Sequence, residues 1–244
     1  MNVFIFPGRR KTARSEVQDD TQPWLIAGLG NPGPKYERTW HNAGFMCLDV
    51  LSQRFDIPVR KIKFKGLYGQ GSIAGQKVVL LKPATYMNNS GESIAEAASF
   101  FKIPPEKILI IYDDIDVDCG NLRIRPGGSG GTHNGMRSVI AHLGTTAFPR
   151  IRIGIGPLPD KGEIVSYVLS EVPGPCRESM SDSIRNAAGA VEEILGNGLL
   201  IGMGKYNAQR KGEGRKGQAA PADGDDGRVR RRTPAETEGH HQDE

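Results

Sequence analysis

Residues 24–44, WLIAGLGNPGPKYERTWHNAG, constrain the fold more than any other stretch of this chain. The run Trp24-Leu25-Ile26-Ala27 is apolar without alternation, the pattern of a strand covered on both faces. It breaks at Gly28-Leu29-Gly30-Asn31-Pro32-Gly33 and reaches His41-Asn42 just before a new helix. Asn31 and His41 therefore occupy the loop leaving the carboxyl end of the first strand, where open α/β sheets bind ligands.

The GxGxxG match at Gly28–Gly33 does not read as a dinucleotide turn. In such a turn the helix starts inside the motif, so that its first amides meet the pyrophosphate. Here Pro32 and Pro34 have no amide hydrogen, Pro34 biases Gly33 away from helix, and the helix waits until Asn42.

Downstream, strands and helices alternate. A helix capped by Asn42 is predicted to run to about Phe55, with Phe45, Leu48, Leu51 and Phe55 near helical spacing. Leu67–Ala74 and Lys77–Leu81 read as strands joined by a Gly75-Gln76 turn. The loop from Pro83 to Asn89 follows, then a helix to Phe101 opened by a capping box of Asn89 and Glu92. Lys107–Tyr112 is a buried strand ending at Asp113-Asp114, and Asn121–Arg125 alternates Leu122 and Ile124 against Arg123 and Arg125. A glycine-rich loop, Gly127–Gly135, leads to a helix over Met136–Leu143. The Arg150–Gly156 strand, a Cys176–Leu195 helix and a short helix near Leu199 complete the pattern. The expected fold is α/β, a single domain whose twisted, mostly parallel central sheet carries helices on both faces.

Composition sets the limits of that domain. Residues 1–22 are polar and read as a flexible extension, and 208–244 carry eight Lys/Arg and eight Asp/Glu without apolar periodicity, as disordered tails do. Residues 23–207 remain as the domain. Of the net charge of +4, most falls on this domain, concentrated in Arg60, Lys61, Lys63 and Lys65 and in Arg123, Arg125, Arg137, Arg150 and Arg152. Either cluster is a solvated face or part of a polyanion footprint. Three cysteines without CxxC spacing fit a reducing compartment rather than disulfides or zinc. The opening apolar stretch is too short for a signal peptide, and no span long enough for a membrane is visible, so a cytoplasmic protein is expected.

Polar residues collect at the ends of these strands: Asn31, Asn88, Asp113 and His133-Asn134, with His41 above them. Each alone is equally at home in a turn. Together on one rim they form a histidine base, a carboxylate to orient it and asparagines to hold a carbonyl and a water. No Ser or Cys stands at a comparable strand end, so water would be the nucleophile. The histidines lack metal-ligand spacing, and Asp113-Asp114-Asp116-Asp118 lacks the glycine and glutamate of a calcium loop, so no metal and no cofactor are expected.

The segments GLGNPGPKYERTWHNAGF, KPATYMNNSGESI, IYDDIDVDCGNLRIRPGGSGGTHNGMRS and FPRIRIGIG resemble bacterial-type peptidyl-tRNA hydrolase, from about Trp24 to Tyr206. The resemblance implies an esterase that frees tRNA from stranded peptides, working as a monomer without an obligate protein partner or membrane. It implies His41 as the base activating water and Asp113 as its orienter. Asn31, Asn88 and Asn134 would hold the peptidyl end and the water, and Tyr36, Tyr86, Met87 and His133 would contact substrate. Arg125 and Arg152 would grip the tRNA 5′-phosphate. Trp40 and Thr132 depart from residues common in the family, Arg and Gly respectively, which bears on substrate contacts. A non-catalytic RNA-binding relative would keep the basic face while its rim drifts; the intact polar set favours the enzyme.

Overall fold

The computed structural model describes residues 22–158 and 163–207. Its strands are β1 (Trp24–Gly28), β2 (Lys61–Lys63), β3 (Gly66–Ile73), β4 (Gln76–Pro83), β5 (Ile108–Asp118), β6 (Leu122–Arg125) and β7 (Arg150–Gly156). The helices are α1 (Ala43–Arg54), α2 (Ser90–Phe101), α3 (Asn134–Leu143), α4 (Ile164–Val168), α5 (Gly174–Asn197) and α6 (Leu199–Asn207). The expected extension and tail, 1–22 and 208–244, lie outside the described residues apart from Gln22.

The sheet runs β2-β3-β4-β1-β5-β7-β6. Its centre, β4-β1-β5-β7, is parallel as expected, while β2-β3-β4 and β6-β7 pair antiparallel at the flanks, so the sheet as a whole is mixed. The hairpin between β3 and β4 explains one flank. Its two turn residues are Ala74 and Gly75, one position earlier than expected, with φ of 49° and 78°. Two positive φ values make the tight turn whose twist matches antiparallel strands.

Alternate residues of the central strands feed two cores. Ile26, Leu80, Leu109 and Ile111 pack with α1 and α5 through Leu48, Leu51, Ile184 and Val191. Leu25, Ala27, Val79 and Ile110 pack with α2 and α3 through Ile94, Ala97, Met136 and Val139. Burial on both faces is why these strands read as unbroken apolar runs. Each of the buried Leu, Ile, Val and Met side chains among them contributes about 1.5–3 kcal/mol. Among the described residues no helix is long and apolar enough to cross a membrane.

Because β4 lies on one side of β1 and β5 on the other, the chain reverses direction across the sheet at β1. The crevice this opens at the carboxyl ends of the strands is the predicted rim. One boundary at the rim differs from expectation. Strand β5 continues past Tyr112, because β7 pairs with it at Asp113↔Ile153 and Asp114↔Gly154. Asp113 is thus a strand residue, held by the ladder rather than by a loop. The short elements β2 and α4 carry too few residues to show a period in sequence.

Candidate active site

Glycines bring α1 close enough for its leading turn to meet β1. A Cβ on Gly28 would lie 2.3 Å from the Gly44 carbonyl oxygen, and one on Gly44 would lie 2.4 Å from the Leu29 nitrogen. The glycine of the apparent nucleotide motif therefore serves helix-strand contact. The 3-10 turn Trp40–Asn42 that precedes α1 carries His41 over the crevice.

Asn42 was expected to cap α1, yet its side chain makes no cap hydrogen bond. It locks Asn31 instead: the Asn31 amide donates to Asn42 Oδ1 at 2.8 Å, and Asn42 Nδ2 donates to the Asn31 carbonyl at 3.0 Å. The Asn31 side chain is oriented from the other side, where the Met87 amide donates to Oδ1 at 2.8 Å. With Oδ1 occupied, the Nδ2 donor is the end that Asn31 offers to the groove. The Asn89–Glu92 capping box is likewise absent, since the Glu92 carboxylate pairs with Lys65 at 2.6 Å.

His41 Nδ1 lies 2.9 and 3.0 Å from the two carboxylate oxygens of Asp113. From the other side His133 Nε2 lies 3.1 Å from Asp113 Oδ1. The His133 tautomer follows from its second bond: Nδ1 accepts from the Met136 amide at 3.1 Å, so the hydrogen is on Nε2 and is donated to Asp113. The same carboxylate favours the hydrogen of His41 on Nδ1, leaving the Nε2 lone pair free to accept a proton. Asp113 is only 1% exposed. Burial pushes its carboxyl upward, but the two histidines outweigh that and hold it well below the usual carboxylate range. The trio has a metal-binding composition, all within 4.8 Å. The nitrogen that His133 turns to the carboxylate has no lone pair to give a cation, so the donor set fits a hydrogen-bonded triad better than a metal centre.

The groove beside this triad is about 670 Å³ and is lined by Asn31, Tyr86, Met87, Asn88 and Asn134 together with His41 and Asp113. It thus gathers nearly every residue expected from the sequence. One differs. Tyr36 does not line it; it closes the Pro34–Tyr36 turn, accepts from the Thr39 hydroxyl through its carbonyl, and has the Lys35 ammonium 4.7 Å from its ring centre. His133 lines the groove, and both of its ring nitrogens are engaged, by Asp113 and by the Met136 amide. Thr132 lines the groove, whereas Trp40 is buried and stacks on Tyr167 with ring centres 5.6 Å apart. The wall that sequence reading missed is α4, whose Ile164, Val165 and Val168 face the groove. Its five-residue run is too short to repeat a helical period.

The far end of the groove carries Arg125, Arg150 and Arg152. Arg152 Nε donates to Asp114 at 2.5 Å and Nη2 lies 3.7 Å from Asp116. Arg150 is buried at 1% exposure beneath the glycine-rich loop, where Nη1 donates to the Ser129 carbonyl and Nη2 to the Thr146 carbonyl, both at 3.1 Å.

Comparison with known proteins gives a consistent result. The sequence model of the family described as peptidyl-tRNA hydrolase matches residues 25–214. A peptidyl-tRNA hydrolase of Clostridium novyi is 50% identical over 184 residues, covering 75% of this chain and 97% of the relative. One from Alkaliphilus metalliredigens is 51% identical, covering 75% and 99% respectively. The crystal structure of peptidyl-tRNA hydrolase from Acinetobacter baumannii superposes with a TM-score of 0.73 at 38% identity, covering 76% of this chain and 95% of that one.

Proposed function

The chain belongs to the peptidyl-tRNA hydrolase family, and from that premise we propose how its groove turns over substrate. The protein is a hydrolase of peptidyl-tRNA, cutting the ester between the peptide and the 3′-terminal ribose. His41 Nε2 takes a proton from water as the water oxygen attacks the ester carbonyl. Asp113 keeps the imidazole in the required tautomer and stabilises the imidazolium without itself taking the proton. The Nδ2 donor of Asn31, preset by Met87 and Asn42, faces the developing oxyanion. The imidazolium then returns the proton to the departing ribose oxygen, leaving a free peptide carboxylate and tRNA. Asn88 and Asn134 hold the peptide and the water, while Tyr86 and Met87 flank the peptidyl end. Arg125 and Arg152 grip the tRNA 5′-phosphate.

Selection for a blocked α-amino group follows from the neutral amides of Asn31, Asn88 and Asn134 at the peptidyl end. Asparagine amides pair with a peptide group, whereas a free ammonium placed among them would be desolvated without a counter-charge. One chain supplies all these groups, which supports action as a monomer without an obligate protein partner, and the compartment proposed is the cytoplasm.

The observation that carries the reading is the contact of His41 Nδ1 with Asp113 at 2.9 Å, on a carboxylate that is 1% exposed and held by a second imidazole. The direct test gives the purified protein N-acetylaminoacyl-tRNA and its free-amine counterpart, with chelator present. Cleavage of the blocked substrate alone is expected. Equal cleavage of both, or loss of activity to the chelator, would overturn the reading.

A further inference from the structure

Cys119 and Cys176 meet behind the wall of the groove. Cys119 stands in the turn between β5 and β6, its amide donating to the Gly156 carbonyl at 2.8 Å. Cys176 stands in the first turn of α5. Both pack against the same core, and the two thiols are hydrogen-bonded to each other. Each is partly exposed, so small reagents reach the pair, whereas Cys47 is fully buried with its Sγ 3.9 Å from the Ile184 carbonyl. Tyr167 of α4 is the neighbour that both thiols share. Its hydroxyl donates to the Ile155 carbonyl, and its ring stacks on Trp40, the residue before His41. Val168, next along α4, lines the groove together with Ile164 and Val165. The thiol pair therefore backs the element that walls the groove.

We propose that Cys119 and Cys176 form an oxidisable dithiol that closes to a disulfide, fastening the start of α5 to the β5–β6 turn and bracing α4 through Tyr167. Sulfurs that already face each other can join with little backbone movement, unlike cysteines whose side chains point apart. The pair comes from distant points of the chain, so the bond closes a long loop, where a cross-link restricts the unfolded chain most. In a reducing compartment both rest as thiols, and oxidation is the modification. Burial, with the neighbouring thiol adding to it, pushes Cys119 up to about 11, so it stays protonated at neutral pH and Cys176 reacts first. With hydrogen peroxide, the Cys176 sulfur attacks one oxygen and the O–O bond breaks, giving a sulfenic acid and water. The Cys119 sulfur then attacks that sulfur and a second water leaves. Two thiols and one peroxide thus become one disulfide and two waters, the protein losing the two electrons that the peroxide gains.

The test treats the full-length protein with hydrogen peroxide, maps its cysteines by mass after alkylation and digestion, and follows melting and amide hydrogen exchange. A Cys119–Cys176 bond that dithiothreitol reverses is expected, with Cys47 left as a thiol. The oxidised protein should melt about 5–10 °C higher than the reduced one, and exchange in α4 should slow. Cys119→Ser and Cys176→Ser should each abolish the bond, the gain in Tm and the slower exchange, while Cys47→Ser should keep all three. Sulfinic or sulfonic acid without a bond, or bonds only between molecules, would overturn the proposal. So would a bond that lowers Tm or leaves exchange in α4 unchanged, since it would strain the fold without bracing the wall. None of these readouts uses substrate, so they are independent of the peptidyl-tRNA reading.

Discussion

A carboxylate enclosed by strands is unfavourable unless donors surround it, and Asp113 has an imidazole N–H on each side. Asp113→Asn keeps the shape, but one carboxylate oxygen becomes an NH2 that opposes an imidazole N–H, and the negative charge that stabilises the imidazolium is gone. Loss of kcat by about 10²–10⁴ is expected, measured under single turnover. Stability should change with pH in a defined direction. The folded carboxyl lies below its unfolded value of about 4, so its contribution is complete above that pH and is lost as pH falls towards the folded value. Denaturant titrations from pH 7 to 3 should therefore show the wild-type advantage over Asp113→Asn shrinking below about pH 4; a constant gap would contradict the assignment. Asn42 is the residue that sequence reading undervalued. Its place before a helix resembles a cap, and only three-dimensional structure reveals the paired hydrogen bonds to Asn31. Asn42→Ala should lower kcat with little change in KM, because Asn31 would lose the lock on its backbone; a change in KM alone would be inconsistent with that role.

At the scale of elements, the approach of α1 to β1 sets where His41 hangs. Gly44→Ala would drive a methyl into the Ile111 carbonyl and the Leu29 backbone, each within 2.5 Å of the new Cβ. The expected cost is about 1–3 kcal/mol of stability together with reduced turnover, read by denaturation and kinetics. Unaltered stability would show that the helix can slide. Strands covered on both faces were legible in sequence because burial leaves an unbroken apolar run, as in Leu25-Ile26-Ala27 and Ile108–Tyr112. The rim residues were legible because they follow such runs. The antiparallel flanks were not, since local pattern does not encode strand direction. Nor was α4, a single turn and a half fixed by tertiary contact through the Trp40–Tyr167 stack and the Trp40 amide bonded to the Ser170 carbonyl.

Across the whole molecule, the groove runs from neutral amides at Asn31 and Asn88 to arginines at β6 and β7. That gradient suits a substrate that is peptide at one end and polyanion at the other. Raising salt should therefore increase KM for peptidyl-tRNA far more than for an N-blocked ester of adenosine, and comparable salt effects on both would contradict the polarity assigned to the groove. Charge clusters were visible in sequence, but their pairing was not: only the coordinates show that Arg152 is matched by Asp114 while Arg125 has no such partner among the described residues. The measurement closest to the centre of this account is single-turnover cleavage of N-acetylaminoacyl-tRNA by His41→Ala, with tRNA affinity measured alongside. A fall of about 10²–10⁴ in rate at nearly unchanged affinity is the predicted result. A rate within twofold of wild type would show that the imidazole of His41 is not the base.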